Sequence, residues 1–119
     1  MKTADLMAGV TFRDTRPNSE PLYFDVHGRI LRFSLKPGQK IEEHNAPDSP
    51  FYAIVLSGKG YFSGGDGVEQ LVGPNSLLVF APGEDHTVRA EDEELVFIGI
   101  LHGVPSTPPG RVGGTMVGE

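Results

Sequence analysis

No stretch longer than ten residues in this chain keeps apolar side chains at the i, i+3, i+4, i+7 spacing of an amphipathic helix, whereas apolar–polar alternation recurs along it. Residues 29–35 set Leu31, Phe33 and Leu35 on one face and Arg32 and Ser34 on the other. Such runs are short because turn formers interrupt them. Glycine and proline number 16 and 10 in 119 residues, more than a fifth of the chain against about 12% in an average protein. Pro37-Gly38, Pro47 to Pro50, Ser57-Gly58, Gly64 to Gly67 and Pro82-Gly83 punctuate it. Between them lie strand candidates at 10–13, 22–27, 29–35, 40–44, 51–56, 59–63, 68–72, 77–80, 87–89 and 95–101. About ten short strands separated by turns every ~8–12 residues predict an all-β sandwich or barrel.

The length fits one domain. Its expected parts are N-terminal strands over 1–27, a barrel core over 28–102 and a Pro/Gly-rich tail over 103–119. The tail has few large apolar side chains and is expected to be irregular, mobile or draped over a partner chain. Asp and Glu outnumber Lys and Arg 16 to 10, for a net charge of −6, which argues against tracking a phosphate backbone. With no cysteine there are no disulfides, thiolate metal sites or cysteine nucleophile. The longest apolar run, 95–101, is broken by Gly99 and is far short of the ~20 residues that span a bilayer. The first residues lack the apolar core of a signal peptide. The expectation is a cytoplasmic protein with no nucleic-acid or membrane partner.

Two segments resemble the paired motifs of the cupin superfamily, a double-stranded β-helix or jelly-roll fold. The first reads Gly38, five residues, His44-Asn45-Ala46, four residues, Phe51, six residues, Gly58. The second runs from Gly73 through Pro82-Gly83 and two further residues to His86, then three residues to Ala90. The resemblance implies a cupin barrel whose usual metal ligands are two His and a Glu of the first motif and the His of the second. Here His44 and His86 remain, while Ala46 and Phe51 stand at the other two ligand positions and Ala90 at the second motif's terminal Asn.

If His44 points inward, strand parity turns Glu42 and Ala46 inward with it, and an inward Phe51 brings Ala53 and Val55. The inner wall then joins Glu42, His44, Ala46, Phe51 and Ala53 to His86 and Val88, an apolar pocket with a few convergent polar groups, as small-molecule sites usually are. Two imidazoles alone hold a transition metal poorly, since catalytic zinc normally has three protein ligands. Glu42-x-His44 with His86 would supply two His and one carboxylate; alternatively Glu42 stands in water at the barrel mouth. Any divalent metal (Fe, Mn, Ni or Zn) is expected to be weakly held.

His27 is expected in a solvent-facing turn, and His102 either at the surface or on the pocket rim. Tyr52 and Tyr61 have outward parity and serve packing or dimer contact. Residues 91–94, four acids in a row, read as a solvated turn. Gly64 to Gly67 is no phosphate loop, since no helix start or lysine follows. The leading functional expectation is a metal-poor cupin binding a small organic molecule. The alternative is a metal-dependent dioxygenase, isomerase or decarboxylase using His44 and His86, and metal-free acid–base catalysis ranks third. The outward stripe Tyr52, Ile54 and Leu56 predicts an isologous homodimer, unless N-terminal strands around Phe12, Tyr23 and Phe24 cover it.

Overall fold

The computed structural model describes residues 1–103 and 115–116, with the side chains of residues 43, 44, 115 and 116 outside that description. The strands are β1 (Asn18–Asp25), β2 (Gly28–Leu35), β3 (Lys40–His44), β4 (Phe51–Ser57), β5 (Gly60–Ser63), β6 (Gln70–Val72), β7 (Leu77–Phe80), β8 (His86–Ala90), β9 (Leu95–His102) and β10 (Thr115–Met116). They form two antiparallel sheets. One has the order β10-β1-β2-β9-β4-β7 and the other β3-β8-β5-β6. The described chain is all-β, and no helix in it is long and apolar enough to cross a membrane.

The sheets face each other across one apolar core. Alternation puts Phe51, Ala53 and Val55 of β4 inside, with Leu95 and Phe97 of β9, and Phe62, Val88 and Ala90 meet them from the smaller sheet. Phe97 stacks on Phe33 at 4.7 Å and takes Phe62 edge-on at 5.3 Å. Gly58 ends β4 with φ +77°, where a Cβ would fall 1.8 Å from the Glu94 carbonyl oxygen. Only glycine can make that corner.

Three sequence expectations change. Residues 10–13 form no strand; instead Asn18 Nδ2 donates to the Thr11 carbonyl and hydroxyl, and Lys36 pairs with Asp14. This segment uses its polar groups to bind the outside of the barrel. Second, Arg32 and Ser34 are buried rather than solvated. The N-terminal segment reaches Arg32, whose guanidinium donates to the carbonyls of Leu6, Ala8 and Gly9 and pairs with Glu20 at 2.6 Å. Third, two tail residues are not irregular: Thr115 and Met116 pair with Phe24 and Tyr23 of β1. The rest of the tail beyond residue 103 lies outside the described residues. The acidic run 91–94 is exposed, as is His27 in the two-residue turn between β1 and β2.

Candidate functional site

One end of the barrel stays open between β2, β9, β8 and the loop that follows β3. Arg29, Leu31 and Phe33 share the parity of buried Leu35 on β2, so they face inward. Leu101 of β9 sits opposite Arg29 and, on its other side, opposite Phe51 of β4. Together with His86 and residues 45–49, these side chains line a cavity of about 180 Å³.

His86 is 2% exposed and packs against two benzene rings that also touch each other, with centroids 6.0 Å apart. Phe51 stacks on one face, with centroids 4.9 Å apart and planes 11° apart, and Phe80 lies at 4.7 Å and 31°. His86 Nδ1 is 3.2 Å from the Glu84 carbonyl oxygen, a distance at which Nδ1–H donates. Glu84's own carboxylate accepts the backbone N–H groups of Gly65 and Ala81. Those bonds, Gly65 first, hold its carboxyl below the ordinary glutamate value, and they fasten the turn that carries His86. Phe51 fits because β9 has no side chain at Gly99: a Cβ there would lie 2.6 Å from Phe51 Cζ and 2.9 Å from Phe33 Cε2.

The loop closing the cavity is latched at both ends. His102 N–H donates to Ser49 Oγ at 2.7 Å, and that hydroxyl donates to the Pro50 carbonyl at 2.6 Å. On the other side Gly83 N–H donates to the Ala46 carbonyl at 2.9 Å, and Asn45 Nδ2 donates to Asp85. His102 stands on the rim, its Nε2 3.3 Å from the Tyr52 hydroxyl.

Of the pocket residues expected from sequence, Ala46, Phe51 and His86 line this cavity. Ala53 and Val88 are buried deeper in the core and do not reach it. Glu42 is a correction. Its side chain is 78% exposed on the outer surface, 3.5 Å from Lys40 Nζ. The parity argument fails because the β3–β8 register slips between Ile41 and His44. Ile41, opposite Val88, packs against the core, which turns Glu42 outward. The Cα of His44 is paired with that of His86, while its side chain lies outside the described residues.

This arrangement does not fit the metal that the motif resemblance implies. A methyl group and a benzene ring occupy two of the four ligand positions, and the ring covers a face of His86. Glu42 brings no carboxylate, and no group of three His, Cys, Asp or Glu able to hold a metal occurs among the described residues. Arg29 and Ser49 are cavity residues that the sequence reading passed over. The alternation that placed Leu31, Phe33 and Leu35 inside carries Arg29 with them, so its signal was present. Ser49 had none, since its role depends on a loop conformation. A larger groove of about 400 Å³ runs along β5 and β7. It has no histidine, and its carboxylates Asp66 and Glu84 already accept backbone N–H groups.

The family model described as the cupin domain matches residues 31–101. No curated protein matches the chain. Among solved structures, an RmlC-like cupin protein from Desulfovibrio desulfuricans is similar at 28% identity and TM-score 0.75, covering 84% of this chain and 95% of that one. A conserved protein with a double-stranded β-helix domain from Klebsiella pneumoniae is similar at 18% identity and TM-score 0.79, covering 98% and 96%. A predicted oxalate decarboxylase from Thermotoga maritima is similar at 19% identity and TM-score 0.61, covering 66% and 69%.

Proposed function

The chain belongs to the cupin family, whose double-stranded β-helix is open at one end, and from that premise we propose that it binds a small organic molecule in the cavity at the barrel mouth, without a tightly held metal. The observation that carries this reading is the Phe51 ring stacked on His86. It puts hydrocarbon where the resemblance expects a carboxylate ligand and leaves an apolar cavity beside it. Leu31, Phe33 and Leu101 extend that lining. At about 180 Å³ the cavity is close to the ~150 Å³ of an apolar cavity that takes up benzene, so the ligand is compact.

Titrating ¹⁵N-labelled protein with cyclopentanol tests this. Amide shifts should concentrate at Arg29, Phe51, His86 and Leu101. Shifts absent there would refute the reading. The second reading, a metal-dependent enzyme using His44 and His86, draws on the likeness to a predicted oxalate decarboxylase. One equivalent of metal retained through dialysis against chelator would choose it instead. The protein acts as a homodimer in this proposal, with the outer face of β4 and β7 as the contact.

A further inference from the structure

β2 carries two arginines on opposite faces, and they are treated differently. Arg32, facing out, is held by Glu20 and three carbonyls. Arg29, facing the cavity, has its Nε buried without a hydrogen-bond partner among the described residues. A buried charged donor left unmade costs more than the ~1–3 kcal/mol of a neutral one. The Arg29 side chain is nevertheless the one cation among the described residues lining the cavity apart from its histidines.

We propose that the ligand is a small monocarboxylate anion and that Arg29 holds its carboxylate; this deepens the reading above and rests on it. A guanidinium presents its N–H groups in a planar fork, and the pair of Nη–H groups matches the two oxygens of a carboxylate. Several neighbouring donors are engaged within the protein. Asn45 Nδ2 is bonded to Asp85, Ser49 Oγ to the Pro50 carbonyl, and the His102 N–H to Ser49. One arginine in a lining that is otherwise mostly apolar suits a single negative charge better than a phosphate dianion. Asp48, exposed on the rim, adds repulsion against a second charge. Away from Arg29 the lining turns apolar through Leu31, Phe33, Phe51 and Leu101. The anion therefore carries a short hydrocarbon body. With liquid water at about 30 Å³ per molecule, the 180 Å³ cavity displaces about six waters, which sets the ligand's scale.

The test compares cyclopentanecarboxylate with cyclopentanecarboxamide, which share a shape and differ in charge, by calorimetric titration at pH 7. The carboxylate should bind about tenfold tighter or more, the worth of a charge-assisted bond. Arg29→Met should abolish that preference by weakening the carboxylate far more than the amide, and leave the melting temperature unchanged or higher, because it removes an unmade donor. Arg29→Gln provides the same comparison with a polar side chain. Equal affinities for the two probes would overturn the carboxylate inference while the cavity reading stands. A preference that survives both variants would overturn the role of Arg29. If neither probe binds, both readings fall.

Discussion

At Gly99 the absence of one methyl group decides what can occupy the barrel mouth. The rings of Phe51 and Phe33 fill the space a Cβ would need. Gly99→Ala should therefore overpack the site and cost about 1–3 kcal/mol, read as a lower urea midpoint with unchanged slope. Pairing it with Phe51→Leu should restore part of the loss, since the clash is with that ring. Ser34 offers the opposite case. Its hydroxyl is fully buried without a hydrogen-bond partner among the described residues, so Ser34→Ala should raise stability by about 1 kcal/mol. At this scale, alternation made Phe51, Ala53 and Val55 legible as interior positions. It misplaced Glu42, because parity holds only along an unbroken ladder.

The strands themselves were readable from turn residues and alternation. The N-terminal segment was not. Residues 10–13 alternate like a strand, yet they join no ladder, and hydrogen bonds through the Asn18 and Gln39 side chains hold the segment instead. Its anchor is Arg32, whose burial no periodicity announces because it depends on carbonyls 23 to 26 residues away. Arg32→Ala would leave Glu20 without its ion-pair partner and three carbonyls unserved. The expected loss is about 3 kcal/mol, and limited proteolysis should cut within residues 1–13 earlier than in the parent. A segment that stays protected would show that its other contacts suffice. The β3 slip was likewise invisible, since a bulge adds a residue without changing composition.

For the whole molecule, the outer face of β4 and β7 is apolar and partly uncovered. Tyr52 and Ile54 lie opposite Val79 and Leu77, and the latter pair are 59% and 65% exposed. A second copy would cover them. Light scattering should give about twice the 12.8 kDa of one chain, and Ile54→Arg should return it to the single-chain mass; a parent already at that mass would refute the dimer. Acid sensitivity follows from carboxylates that the fold keeps ionised. The Gly65 and then the Ala81 N–H lower the Glu84 carboxyl, and the Arg89 fork lowers that of Glu69. Both sit below the ordinary 4.5, so their contribution is complete above that pH and is lost as pH falls through the depressed folded values. Stability should decline below about pH 4.5, and Glu84→Gln should flatten part of that decline in acid titration followed by circular dichroism.

The cluster of Phe51, Phe80 and His86 also gives the barrel mouth a signal of its own. An imidazole stacked on the Phe51 face experiences that ring's current, so the carbon-bound protons of His86 should resonate upfield of an exposed histidine such as His27. Any occupant that displaces Phe51 would release part of that shielding. One unlabelled proton spectrum thus reports any occupant that moves Phe51, without knowing what it is.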